Sequence, residues 1–127
     1  MTTTDALASP AQSWTLGGTR LLYQHCTACA HRWYFLRSFC PRCGRDGPQT
    51  LAASGNGCVV AATLVHRAPS DAFRAIAPYA LVLVDAVEGF RLMAHADPTA
   101  AIGDRVLGGT RNIAGRILPY FEKRSSS

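Results

Sequence analysis

Two C-x-x-C pairs lie close together near the start of the chain and constrain its fold more than any other feature. The pairs are Cys26 with Cys29 and Cys40 with Cys43, and ten residues separate them. A two-residue gap lets a tight turn direct both sulfurs of a pair to one point, and two such turns supply the four thiolates of a structural Zn²⁺ site. Because that shell has no open position for water or substrate, we expect one metal ion per chain that holds structure and does no chemistry. Iron suits the same thiolate shell, so the cysteines alone do not choose between zinc and iron.

Two disulfide bonds or four free thiols are the alternatives to a metal site. The start of the chain, Met1 to Asp5, lacks the basic segment and apolar stretch of a secretory signal. Reducing compartments disfavour disulfides. The longest apolar run, around residues 79–84, is too short to cross a membrane. We therefore expect a cytoplasmic protein that does not bind membranes and whose cysteines bind metal.

The turn after each cysteine pair differs by one residue. Gly44 follows the second pair and accepts the positive φ that such turns often need. Ala30 stands at the equivalent place after the first pair, which is less typical.

Strand and turn signals after the cysteine segment predict a mostly β chain. The run from Cys58 to His66 is rich in β-branched residues, and neither of its alternating faces is polar. We expect it to be covered on both sides, as in a closed barrel. Further strands are predicted at 79–87, 90–95, 105–107 and 117–121, and residues 67–78 form a loop or short helix. Glycines separate these runs, so a small five-stranded barrel is the expected fold.

The 127 residues divide into four predicted segments. Residues 1–20 are flexible or held by a partner, 21–48 form the metal-binding ribbon, 49–123 form the barrel and 124–127 form a disordered tail. The ribbon is too small to build a core by itself, so the metal is expected to supply its folding energy.

Aromatic and basic residues fill the segment between the two cysteine pairs. Residues 32–39 carry four of the eleven aromatic side chains of the chain. They either cover the metal site and pack against the rest of the fold, or offer a docking surface to a partner. The candidate docking residues are Trp14, Trp33, Tyr34, Phe35 and Phe39.

The order of these landmarks resembles the DUF35 family. The matching features are the first C-x-x-C, the aromatic-basic ribbon ending in C-P-x-C-G at 40–44, the Ser54-Gly55-x-Gly57 turn, Val65-His66-Arg67 at a strand end, Pro78-Tyr79 at a strand start, Glu88-Gly89, and Ile102-Gly103. The resemblance runs from about Leu22 to Phe121. It implies a rubredoxin-like zinc ribbon followed by an OB-fold. Two features depart from the family: residues 34–37 replace a frequent Pro pair, and Gly17-Gly18 interrupts the usual amino-terminal helix.

The resemblance also implies a function. Members of the family are similar to small, non-catalytic subunits that bind a thiolase-superfamily enzyme and help to form its acyl-CoA passage. The implied partner is a thiolase, acyltransferase or retro-aldolase subunit, in a hetero-oligomer built on a thiolase dimer, with a CoA thioester bound alongside. Candidate contacts with acyl-CoA or with the partner are His66, Arg67, Phe73, Arg74 and Tyr79.

Independent catalysis by this chain has little support in its residues. Cys58, His66 and His95 are the only candidates for a nucleophile and a base. We expect Cys58 to be a core residue and His95 a turn residue, whereas His66 either meets phosphate or pantetheine oxygens or has an ordinary surface role. No phosphate loop, nucleophile elbow or carboxylate pair is present, so no catalytic residue is assigned.

Single-stranded nucleic acid is the alternative ligand, because OB-folds and zinc ribbons both bind it. The formal charge is +5, and four thiolates with one Zn²⁺ would lower it by two. The arginines are scattered and the predicted barrel strands contain few aromatic residues for base stacking. Nucleic acid is therefore the less favoured partner.

Overall fold

Two β-sheets form the framework of the residues that the structure, a computed structural model, describes, namely 7–67 and 70–124. Three antiparallel strands form the ribbon: β1 (Leu22–His25), β2 (Arg32–Trp33) and β3 (Gln49–Ala52), in the order β2-β1-β3. Five strands form a closed barrel: β4 (Asn56–Val65), β5 (Tyr79–Ala86), β6 (Arg91–Ala96), β7 (Arg105–Ile113) and β8 (Arg116–Lys123). The predicted fold class, a cysteine ribbon followed by a five-stranded barrel, is confirmed.

The barrel has OB-fold topology. Its strand order is β4-β5-β6-β8-β7, and β6 and β8 form its one parallel pairing among the described strands. Among the described residues, helix is confined to α1 (Asp71–Arg74) and two 3₁₀ turns, Pro10–Gln12 and Trp14–Leu16. Ser70 caps α1, because its hydroxyl accepts a hydrogen bond from the Phe73 amide.

The amino-terminal segment packs against the ribbon in its described part, Leu7 to Arg20. Leu7 forms an isolated bridge with Leu51 of β3, and Trp14 packs against the core. Gly17, at φ 91°, ends the second 3₁₀ turn, so Gly17-Gly18 interrupts helix here as the sequence indicates. Residues 1–6 and 125–127, which belong to the predicted flexible ends, lie outside the described residues.

Strand β3 lies in the stretch that the sequence assigned to the barrel. It pairs instead with β1 of the ribbon, from Leu22 opposite Ala52 to His25 opposite Gln49. The ribbon therefore extends to residue 52, and the chain passes from ribbon to barrel at residues 53–55. The sequence does not reveal this, because pairing between distant strands leaves no local pattern.

Side chains alternate between the barrel interior and its outer face most clearly along β5. Ala80, Val82 and Val84 are buried, whereas Leu81 and Leu83 between them point outward and are partly exposed. The prediction that β4 is covered on both faces is wrong for its second half. Residues 62–64 are all exposed, and because consecutive side chains point to opposite faces, neither face of the strand is covered there.

Strand β7 is longer than predicted, because Gly108 and Gly109 continue it where the sequence indicated a break. Gly108 pairs with Phe121 of β8. A Cβ added to Gly108 would collide with the buried Phe121 ring, whereas a Cβ added to Gly109 would have no atom within 4 Å. Gly108 therefore allows the large Phe121 side chain to fill the barrel.

One hydrophobic cluster continues from the barrel into the ribbon. Phe90, from the turn between β5 and β6, stacks on Tyr23 of β1 at a ring-centroid distance of 4.9 Å. It also stacks on Tyr34 at 5.7 Å, with the two rings nearly parallel. The Trp14 indole donates a hydrogen bond of 2.6 Å to the Tyr34 hydroxyl, and burial raises the pKa of Tyr34 to about 12. The two sheets thus share a core at this joint.

Polar contacts hold the same joint from outside. The Arg32 guanidinium donates to the Glu88 carbonyl oxygen at 2.7 Å. The Glu88 carboxylate accepts a hydrogen bond of 2.7 Å from the Ser54 amide. The Glu88-Gly89-Phe90 turn is therefore bound both to the ribbon and to the segment that connects ribbon and barrel.

The two adjacent glycines give a direct test of the barrel packing. We expect Gly108→Ala to lower the free energy of unfolding by about 1 to 3 kcal/mol, because its methyl group overpacks the Phe121 site. Gly109→Ala is the matched control and should leave stability unchanged or raise it by about 0.5 to 1 kcal/mol, through reduced backbone entropy of the unfolded chain. Urea denaturation followed by tryptophan fluorescence measures both. Equal stabilities of the two variants would contradict the packing described here.

Candidate metal centre and partner surfaces

The structure brings the four predicted cysteine ligands together. Their sulfur atoms all lie within 4.8 Å of one another. The Cys26–Cys43 sulfur distance is 3.6 Å and the Cys29–Cys40 distance is 3.7 Å. A tetrahedral ion with metal–sulfur bonds of about 2.3 Å needs sulfur separations of about 3.8 Å. The two shortest separations match this value, so the four cysteines could hold a metal ion.

Two turns of the same design present these sulfurs. The amides of Ala30 and Gly44 each donate to the carbonyl of the first cysteine of their own pair, at 2.9 Å in both cases. Both residues have positive φ, 65° for Ala30 and 83° for Gly44. The first turn therefore adopts the expected conformation although it has alanine where glycine is easier.

Backbone amides also point at the sulfur atoms. The amides of Arg42 and Cys43 lie 3.3 and 3.5 Å from the Cys40 sulfur. Burial raises the pKa of Cys40, but these amides and the neighbouring thiols outweigh it and lower that pKa overall. Donors aimed at sulfur favour the thiolate, which is the form that binds metal.

The first pair shows how strongly the four thiols interact. A hydrogen bond from the Cys29 backbone is the main cause that lowers the pKa of Cys26 to about 7. A hydrogen bond from the His31 backbone lowers the pKa of Cys29, but burial and the three other thiols raise it to about 11 overall. Four thiolates this close repel one another, so complete ionisation requires a cation between them.

The predicted docking aromatics separate into two groups. Trp33 and Tyr34 are 8% and 9% exposed, so they pack within the chain. Phe35 and Phe39 are 64% and 49% exposed. Trp14 is partly buried against the core. Within this set, only Phe35 and Phe39 offer a large open ring to a partner.

A buried glutamine supports the exposed part of the ribbon. The side-chain oxygen of Gln24 accepts hydrogen bonds from the Trp33 indole at 2.8 Å and from the Arg37 amide at 2.7 Å. Its side-chain nitrogen donates to the Thr50 hydroxyl at 3.2 Å. The sequence analysis missed Gln24, because a single polar residue in a strand gives no signal that it will be buried.

The residues predicted to contact acyl-CoA lie around α1 and the adjoining strand ends. Phe73 and Tyr79 pack together at 5.7 Å, and both contact the ring of His95, at 5.8 and 5.1 Å. His66 and Arg67 are exposed at the end of β4. Arg74 pairs with Asp71 at 2.7 Å on the surface.

Two of the remaining predictions need correction. His95 is not a turn residue: it lies in β6 opposite Leu81, is 8% exposed, and its burial lowers its pKa. Cys58 is partly exposed and not fully in the core. Its thiol hydrogen bond in the described chain is to the Val59 carbonyl, not to a histidine.

An apolar groove crosses the outer face of the barrel. It has a volume of about 220 Å³. Cross-strand pairing puts Ala61 and Met93 on either side of Leu83, and Thr63 and His95 on either side of Leu81. Met93 is 59% exposed, so the groove is open to solvent. The sequence indicated an apolar outer face here but not that it stays uncovered.

Known proteins are similar to this chain in the barrel and over most of its length. A family model described as "ChsH2, C-terminal OB-fold domain" matches residues 51–108. A solved structure titled "Ltp2-ChsH2(DUF35) aldolase" matches with a TM-score of 0.68 and 31% identity, over 82% of this chain and 84% of that one.

Two curated relatives cover a smaller part of their own length. A "DUF35 domain-containing scaffold protein" of Methanothermobacter thermautotrophicus is 34% identical over 86 residues, 64% of each chain. A "Probable enoyl-CoA hydratase alpha subunit" of Thermomonospora curvata is 36% identical over 76 residues, 60% of this chain and 23% of that protein. The chain thus spans less than two thirds of either curated relative.

A closed OB-fold barrel joined through a shared core to a four-cysteine ribbon defines the class of this protein. The chain belongs to the DUF35 family, as its sequence landmarks indicated. The helices of the described residues are all too short to cross a membrane.

The metal centre can be tested by removing one sulfur. We expect Cys40→Ser to lose most of its bound metal, because only three of the four ligands remain, and to lose order in the ribbon. Cys58→Ser is the matched control, since it removes a thiol outside the cluster and should keep the metal. Elemental analysis of the purified proteins gives the metal content, and hydrogen exchange over residues 22–52 reports ribbon order. Full metal content in Cys40→Ser would contradict the assignment.

Proposed function

We propose that the chain is a non-catalytic accessory subunit that binds and stabilises a thiolase-superfamily enzyme and helps to form its acyl-CoA passage. One observation carries the proposal: the outer face of β4, β5 and β6 is apolar and open, although the interior of the barrel is already filled. Apolar area of this kind on a small protein commonly marks a protein interface. An OB-fold with a closed core and an uncovered outer face is suited to lying against a larger partner.

The names of the relatives support this direction. One is called a scaffold protein, one is part of an aldolase structure with Ltp2, and one is called the alpha subunit of an enoyl-CoA hydratase. All three names indicate a protein that assembles with other chains, and two of them refer to enzymes. We propose a hetero-oligomer in which the larger subunit carries the catalytic residues of a thiolase, acyltransferase or aldolase reaction in acyl-CoA metabolism.

The end of the barrel near α1 is the proposed side of the acyl-CoA passage. Val65 pairs with Tyr79, so His66 and Arg67 leave the barrel beside the Phe73–Tyr79–His95 cluster. Aromatic rings suit the pantetheine arm and arginine suits phosphate oxygens. Asp71 partly neutralises Arg74, which leaves Arg67 as the better placed cation for the phosphates.

The proposed metal is zinc, one ion per chain, bound by Cys26, Cys29, Cys40 and Cys43. Their tetrahedral spacing and closed shell fit a structural ion. Zinc would supply a cross-link between the two cysteine turns and would hold the ribbon surface rigid. The rigid ribbon would then hold Phe35 and Phe39 in fixed positions.

The open barrel face gives the test of the accessory role. We expect the wild-type chain, co-expressed with a thiolase-superfamily protein from the same genome, to purify as a stable complex. Met93→Asp should weaken that complex by about 2 kcal/mol or more, because it puts a charge into an apolar interface. Ile102→Asp is the matched control: Ile102 is 70% exposed and does not line the groove, so binding should change little. Calorimetry on the purified subunits measures both.

Other outcomes would contradict the proposal. Failure of the wild-type chain to bind a thiolase-superfamily protein would overturn the accessory role. If the same chain also shifted single-stranded DNA at physiological salt, nucleic-acid binding would replace it. Equal affinities of the wild type and Met93→Asp would remove the barrel face from the interface.

A further inference from the structure

A shallow cleft lies where the ribbon meets the turn between β5 and β6. Its volume is about 390 Å³. Cations and aromatic rings line it, and none of the described residues that line it is acidic. The lining includes three arginines and three aromatic residues: Arg32, Arg37 and Arg91 with Tyr34, Phe35 and Phe90. The cleft is separate from the apolar groove on the barrel and shares no lining residue with it.

The charges of the barrel and of the ribbon are balanced differently. The four ion pairs of the described residues all lie within residues 71–123, and the Arg91–Asp85 pair, at 2.6 Å, is one of them. Arg32 donates to a neutral acceptor, the Glu88 carbonyl. No ion pair among the described residues includes Arg32 or Arg37. Arg32 and Arg37 therefore have no carboxylate at ion-pair distance in the described part of the chain, and the Glu88 carboxylate, in the residue that Arg32 contacts, accepts a hydrogen bond from the Ser54 amide instead.

The cleft is fixed before any ligand binds. Its floor is the Tyr34–Phe90 stack, and Arg32 is held by its bond to the Glu88 carbonyl. The Arg37 backbone is held by the buried Gln24 side chain. Phe35 packs against Tyr34 at 4.9 Å yet remains 64% exposed. A preorganised surface of this kind loses little conformational entropy on binding.

We propose that this cleft docks an acidic segment of the catalytic partner, with carboxylates at Arg37 and Arg32 and an apolar side chain against Phe35. The proposal rests on the accessory function above and adds the chemistry of one contact surface. Arginine pairs with carboxylates through two parallel hydrogen bonds, and an exposed aromatic ring beside it is typical of protein interfaces. The partner segment should therefore carry Asp or Glu next to an apolar residue.

A protein segment fits the cleft better than a nucleic acid. Tyr34 is only 9% exposed and Phe90 only 5%, and they stack on each other, so neither ring is available to a base. Phe35 is the one open ring of the cleft. Single strands are bound by several stacking rings along a basic groove, and this cleft offers one ring and two unbalanced cations.

Charge reversal at Arg37 tests the proposal in the complex with the thiolase-superfamily protein. We expect Arg37→Glu to raise the dissociation constant by about tenfold or more, and to reduce the dependence of binding on salt. Arg116→Glu makes the same change of charge at an exposed residue outside the cleft, and should alter binding by less than about twofold. Calorimetry at low and high salt measures affinity, and metal content with circular dichroism confirms that each variant is folded. Phe35→Ala serves if Arg37→Glu does not fold, with weaker binding again expected.

Each result separates this inference from the accessory function. A wild-type complex that Arg37→Glu or Phe35→Ala leaves unchanged would overturn the docking cleft and leave the accessory function in place. Equal losses in Arg37→Glu and Arg116→Glu would also overturn it, since net charge alone would then explain binding. No complex with the wild type would overturn both. If a single-stranded oligonucleotide competed with the partner for the wild type but not for Arg37→Glu, the cleft would be assigned to nucleic acid.

Discussion

Four sulfur atoms within 4.8 Å of one another determine what the first third of the chain can be. The ribbon strands are only four, two and four residues long, which is too little surface for a core of their own. Ionisation of the thiols is opposed in this arrangement, since burial and the interaction with the three other thiols raise the pKa of Cys29 to about 11. A bound metal ion would stabilise the four ionised thiols, because each thiolate would form a bond to the ion and the repulsion between them would be offset. The order of the ribbon and the charge state of its cysteines are therefore coupled.

The Phe90 ring couples the order of the ribbon to the packing of the barrel. It comes from a barrel turn but is stacked on two ribbon tyrosines, so neither sheet has a complete core alone. Glu88 holds the turn through its carbonyl and its carboxylate, on Arg32 and on the Ser54 amide. Disorder in the ribbon would consequently loosen the support of Phe90, and a change in the barrel turn would reach the ribbon. Surfaces on the two sheets keep a fixed relation for the same reason.

Sequence reasoning succeeded where a local pattern has a single physical explanation. Cysteine spacing located the four thiols that the fold brings together, and the apolar strand runs located the barrel. It failed where pairing is decided by distant residues. Gln49–Ala52 joins the ribbon because of its pairing with β1, Gly108 continues a strand because Phe121 needs its space, and His95 is buried because Phe73 and Tyr79 cover it. None of these three facts has a signature within a few residues of the position concerned.

The barrel groove and the ribbon cleft, the two surfaces proposed for binding, have complementary physical properties. The barrel groove is apolar, and burying it stabilises a complex with little dependence on salt. The ribbon cleft is cationic, and long-range attraction of its arginines to carboxylates speeds and orients the encounter. The barrel cations contribute little to such attraction where a carboxylate pairs them, as Asp85 does for Arg91. Because the shared core fixes the two surfaces relative to each other, a partner that meets both must match their spacing. Selectivity for one large subunit can therefore arise from geometry as well as from either contact alone.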